Sequence, residues 1–169
     1  MKQMRLKALA LAGVLVSGPA LCADTLISER QIGVDAAIVV AQAALAACRA
    51  HGSIVTITIL DRADRVVLSL RDNGASPHSV EHSLRKAHTA LTYNMSSREY
   101  GKNAAGNPGS AGTLHLANIT TAAGGLPIRA GDTLVGAIGI SGTPGAKGGG
   151  GADEECAKAG LEKIAGGLK

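Results

Sequence analysis

Three histidines fall in one short run, HSVEHSLRKAHTALTY (78–93), where His78, His82 and His88 share the stretch with Arg85, Lys86, Thr89 and Tyr93. His78 and His82 are four residues apart, so on a helix both rings reach the same side and could meet one metal ion. The acid between them is Glu81, giving HSVEH where a zinc protease needs HExxH, and no third ligand follows at a diagnostic spacing. The run therefore predicts no dedicated transition-metal centre. Gly136, Gly139 and Gly142 have the wrong spacing for a dinucleotide fingerprint and lie within a predicted strand, so close backbone packing explains them better. The glycines around Lys147 lack the GK[ST] ending of a phosphate loop. No acid/base pair and no Ser-His-Asp triad can be picked from the linear order, because both are defined in space.

Those residues need a helix to position them. Ser76 is a good N-cap and Pro77 suits a first turn, so a helix is predicted from 77. At 100° per residue Val80, Leu84, Ala87 and Leu91 form one apolar stripe, the predicted core face. The opposite arc carries His78, His82, Arg85, Thr89 and Tyr93, with Lys86 at its edge and His88 near the boundary with the stripe. Upstream, DAAIVVAQAALAACRA (35–50) is dominated by strong helix formers and stops before Gly52. Residues 53–60 and 66–70 read as a hairpin around the turn-rich DRADR. Residues 96–113, rich in Gly, Ser and Asn, read as a long connection, and LHLANIT (114–120) fits either helix or strand. GLPIRAGDTLVGAIGIS (125–141) reads as two strands around Ala130-Gly131-Asp132, followed by a glycine-rich tether over 145–151. A final helix has the acidic start Asp153-Glu154-Glu155 that a helix N-terminus favours. Hairpins flanked by helices predict an α+β domain with an antiparallel sheet.

Composition narrows the class further. Lys2, Arg5 and Lys7, the apolar Ala8 to Val16 and the small residues Ser17 to Ala23 have the order of a secretory leader, too short for a stable membrane span. Cleavage is expected after Cys22 or Ala23, leaving residues 24–169 as one domain, periplasmic or secreted, with no membrane span. The formal net charge of +4 includes the three basic residues of the leader, so the mature chain is close to neutral and a nucleic-acid role loses its electrostatic basis. Phe and Trp are absent, so the core must be aliphatic. Cys48 and Cys156 leave two readings open: a bridge in an oxidising compartment, or two buried inert thiols.

Three motifs occur in one order: Arg85-Lys86-Ala87-His88-Thr89-Ala90, Gly124-Gly125-Leu126-Pro127-Ile128, and Leu134 to Gly142, followed by Asp153-Glu154 and Ala157 to Gly160. They resemble the GlcG/HbpS-like family, also called haem-degrading, over roughly residues 26–165, and the secreted HbpS-type members above all. The resemblance implies a profilin-like α+β domain, assembly into a homo-oligomer and haem as ligand. It implies a haem site centred on Thr89 of the RKAxTA helix, with Arg85, Lys86, His82 and His88 around it and no metal beyond haem iron. His88 stands where Tyr or Trp is common in the motif and offers an imidazole to iron or a contact to a neighbouring subunit. Slow haem degradation or a haem- and iron-sensing accessory role follows from the same resemblance, as does a non-haem or corrinoid-binding accessory role in a catabolic operon. The acidic pairs by which some members hold iron are not evident here. Within a profilin-like arrangement Cys48 and Cys156 would sit on helices packed on one side of the sheet.

Overall fold

A computed structural model describes residues 26–144 and 150–168. The predicted leader, and most of the tether at 145–149, lie outside the described residues. Helix α1 (Val34–Ala50) is followed by strands β1 (Thr56–Asp61) and β2 (Val66–Arg71), then helices α2 (His78–Tyr93) and α3 (Ser97–Ala105). Strands β3 (Gly125–Ala130) and β4 (Thr133–Ser141) and helix α4 (Gly151–Glu162) complete the chain. The four strands form one antiparallel sheet in the order β2-β1-β4-β3, so the two hairpins meet along β1 and β4. This is the α+β architecture expected from the sequence. Gly131, at φ 59°, and Asp132 close the second hairpin where Ala130 pairs with Thr133. Among the described residues no helix is long and apolar enough to cross a membrane.

The segment 96–113, expected to be an open connection, is instead largely helical: α3 is followed by a 3-10 helix at Pro108–His115. Its start signal is Ser96, whose hydroxyl accepts from the Glu99 amide, an N-cap inside a run whose composition reads as loop. Tyr100 and Ala104 anchor α3 by burial, and the Tyr100 ring stacks on Tyr93 with centroids 4.1 Å apart. Residues 116–120 form no strand, resolving the ambiguity of LHLANIT.

Pleating divides the sheet. Val55, Ile57, Ile59, Ile138 and Ile140 pack with Val40, Ala41, Ala44, Cys48, Cys156 and Ala157, so α1 and α4 share one face. A Cβ on Gly160 would stand 2.7 Å from the Val40 carbonyl oxygen, which shows how closely those two helices approach. Cys48 and Cys156 are joined there by a disulfide, Cα to Cα 5.4 Å. Helix α2 covers the other face. There, Cβ atoms on Gly139 and Gly125 would each come within 2.0 Å of an α2 carbonyl oxygen, those of Ser83 and Lys86 respectively. The glycines of LVGAIGI thus serve close packing, and the helix lies on a nearly flat floor.

That floor rotates α2 away from the expected orientation. The buried residues are Ser79, Ser83, Lys86, Ala87, Thr89, Ala90 and Leu91, so Ala87 and Leu91 of the predicted stripe are in the core and Leu84 packs against it, while Val80 is 41% exposed. Only small side chains fit against glycine, and the two serines remain satisfied because Thr56 pairs with Ser79 at 2.7 Å and Thr58 with Ser83 at 2.8 Å.

Candidate functional site

Rotation of α2 scatters the five expected ligand-binding residues over three environments. Thr89, expected at the centre of an outward polar arc, is fully buried. Its hydroxyl donates to the Arg85 carbonyl at 2.8 Å and accepts from the Thr120 amide at 3.0 Å. It fastens the 116–124 segment to the helix, and this use of both donor and acceptor explains a hydroxyl at a buried position.

Lys86, placed at the edge of the polar arc by helical geometry, is also buried. Its ammonium donates to Asp153 Oδ2 at 2.7 Å and to the Ile140 carbonyl at 2.9 Å, with both side chains at most 3% exposed. Asp153 Oδ1 accepts in turn from the Thr143 amide. Burial lowers the Lys86 pKa more than the neighbouring carboxylate raises it. His82 belongs to the same environment: Nδ1 is 3.2 Å from Ser141 Oγ and Nε2 is 3.4 Å from Thr120 Oγ1. Its pKa is lowered, first by burial and then by Lys86, which favours the neutral ring. His78, His82, Lys86, Ser141, Thr143 and Asp153 line a cavity of about 290 Å³ at the end of β4. The next residue of α4, Glu154, is raised in pKa by burial but lowered overall by its hydrogen bonds to Arg98 at 2.7 Å and Lys158 at 3.0 Å.

Arg85 and His88 occupy the third environment, the outward face of α2. Arg85 forms an exposed ion pair with Glu81 at 2.6 Å, while its Nε has no hydrogen-bond partner. His88 Nδ1 lies 2.7 Å from Asp64 Oδ2. Asp64, in the β1–β2 turn at φ 62°, also lines a cavity of about 330 Å³ with Arg62, Leu91 and Thr92. In a neutral ring, a carboxylate oxygen this close favours the tautomer with its proton on Nδ1, the one that leaves Nε2 for a ligand. Half-buried Leu84 and exposed Val80 flank this face.

Sequence reasoning missed Asp64, Ser141, Thr120 and the role of Asp153. Asp64 carries only a turn signal, and Asp153 reads as an ordinary first-turn acid. Their distance from α2 along the chain hides both partnerships.

A four-stranded antiparallel sheet covered by α2 on one face and by α1 and α4 on the other defines a small α+β class of domain. The family described as haem degrading protein HbpS-like matches residues 32–162, and the chain belongs to it. Crystallised HbpS is 31% identical with a TM-score of 0.76, the match covering 86% of this chain and 98% of that one. A double mutant of Streptomyces reticuli HbpS is 30% identical, TM-score 0.76, over 92% and 98%. A PduOC:haem complex shares the fold at 22% identity, TM-score 0.70, over 79% and 95%. No curated protein sequence gave a significant match.

Proposed function

We propose that this protein is an exported haem-binding protein whose binding face is the outward side of α2, with His88 as the iron ligand. The observation that carries the reading is the imidazole of His88 held at Nδ1 by Asp64, 2.7 Å away. A carboxylate behind a ligating histidine fixes its tautomer and raises its basicity. Family membership supports haem as the ligand, and the donor set fits it. Val80 and Leu84 offer aliphatic contact to a macrocycle, while Arg85 can exchange exposed Glu81 for a propionate and exposed Arg62 can meet the other. The two cavities bordering α2, about 330 and 290 Å³, lie at the bottom of the usual range for ligand pockets, which favours an open face over enclosure. When bound, haem would supply an iron centre able to take a ligand or an electron. The protein's part is to present the His88 imidazole and compensate two carboxylates. This reading moves the iron ligand from Thr89, whose hydroxyl is engaged internally, to a ring with Nε2 left for iron.

Haemin titration of the mature protein tests it. A saturable, shifted Soret band is expected, weakened at least about tenfold in His88→Ala and by about 10–100-fold in Asp64→Asn, the usual cost of removing a carboxylate behind a metal ligand. Thr89→Ala should keep the Soret position. Saturation unaffected by His88→Ala would overturn the assignment, and no saturation would overturn haem binding. The same assay reads degradation: bleaching by ascorbate faster than that of free haemin adds an enzymatic activity, and equal rates leave a carrier. Export is supported by the leader pattern of residues 1–23 and the Cys48–Cys156 disulfide, and mass spectrometry of the exported protein should find a start at Ala23 or Asp24. Assembly into a homo-oligomer is supported by the exposed aliphatic side chains Val80, Leu114 and Leu116, and light scattering reads it directly.

A further inference from the structure

The cavity beneath His78 and His82 is separate from the His88 face and needs its own account. A buried lysine and aspartate can simply pin α2 to β4 and α4. Two observations go beyond pinning. Lys86, whose Nζ bonds Asp153 and the Ile140 carbonyl, also lines a cavity with two imidazoles and two hydroxyls. An ammonium carries three N–H groups, and these two acceptors take two of them. The cavity's one carboxylate is already engaged by Lys86 and the Thr143 amide, so a ligand's own carboxylate would meet His78 and the hydroxyls of Thr143 and Ser141, the latter now 3.2 Å from His82 Nδ1.

We propose that this cavity is a site for a small 2-oxo acid, with Lys86 as the nucleophile that forms an imine with its keto group. The carboxylate end meets His78 and the hydroxyls of Ser141 and Thr143. Lys86 passes a proton to Asp153 Oδ2, and the freed lone pair forms the N–C bond as the carbonyl π pair moves to oxygen. His82 relays a proton from nitrogen to that oxygen. Asp153 then returns its proton to the hydroxyl, which leaves as water while the nitrogen lone pair forms C=N. The balance is ammonium plus ketone giving iminium plus water, with Asp153 restored and no oxidant or reductant used. Burial, which holds the amine below the ordinary lysine range, makes the first transfer easier.

The test uses the whole protein without haem, so its failure and that of haem binding are read separately. Incubation with limiting pyruvate and cyanoborohydride, followed by peptide mapping, should place the carboxyethyl adduct on Lys86 ahead of exposed Lys102, Lys158 and Lys163. Labelling at Lys86 should persist to lower pH than labelling at those three, which a purely structural lysine would not do. In Lys86→Arg the adduct on that peptide should vanish while the surface background stays. Wild-type protein modified only at the exposed lysines, or at Lys86 to no greater extent than at these, overturns the proposal.

Discussion

On the α1/α4 side of the sheet, Ile57, Ile59, Ile138 and Ile140 meet valine and alanine side chains, and a disulfide closes the layer. On the α2 side the alternate residues of the same strands, Thr56, Thr58, Ala137 and Gly139, meet serines and alanines. The first face is stabilised by apolar area, which tolerates small changes of shape. The second is stabilised by close backbone approach, paired hydroxyls and one buried ion pair, in which each partner is costly to remove alone. Both candidate sites border the second face. A helix lying close on its sheet leaves little room for apolar side chains, and its polar groups are held rigidly where a ligand can use them.

The sharpest way to break this contrast is Gly139→Val. A Cβ there stands 2.0 Å from the Ser83 carbonyl oxygen and 2.5 Å from the Ala87 amide, so α2 must lift from the sheet. The expected loss exceeds about 4 kcal/mol, and soluble yield with urea unfolding would show it. Lys86→Met should come next, at about 3–5 kcal/mol, because it leaves the Asp153 carboxylate buried without its cation. The double change Lys86→Met with Asp153→Leu should recover much of that loss; if it does not, the pair contributes more than charge compensation.

Removing the Cys48–Cys156 bridge tests the other face. The cysteines are 108 residues apart in sequence, and Cys156→Ala should cost about 2–5 kcal/mol and cancel the difference in melting temperature between reduced and oxidised protein. Ile59→Val, a methylene lost from the aliphatic layer, should cost only about 0.5–1.5 kcal/mol. A cost equal to that of Gly139→Val would erase the distinction between the faces.

The smallest effect is acid sensitivity at His82. Its folded pKa lies below the ordinary 6.5, so folding favours the neutral ring. That contribution is present above pH 6.5 and fades as pH falls from there through the folded value, because the unfolded chain takes up the proton first. His82→Gln should flatten the melting temperature between pH 7 and 5. Asp72, held below the usual carboxylate range by its hydrogen bond to Arg49, loses its contribution at lower pH and should leave that region unchanged.

Local order was legible in the sequence: α1, both hairpins, the start of α2 near Pro77 and the family motifs all depend on propensity, caps and turns carried by neighbouring residues. So was the meaning of Gly139 as a packing residue. The capped α3 was hidden only because Ser96 stands in a glycine- and asparagine-rich run. What the tertiary structure alone decided was the rotation of α2. Periodicity places Val80, Leu84, Ala87 and Leu91 on one side, and Ala87 and Leu91 are buried there, but it cannot show that the glycine floor beside them admits Ser79, Ser83 and Lys86 and sends Val80 outward. From that rotation follow the burial of Thr89 and Lys86 and the outward placement of His88. Asp153 and Asp64, 67 and 24 residues from the side chains they hold, became partners only when the sheet brought their elements together. Burial and charge pairing depend on the summed surroundings of a side chain, and those surroundings come from residues distant along the chain.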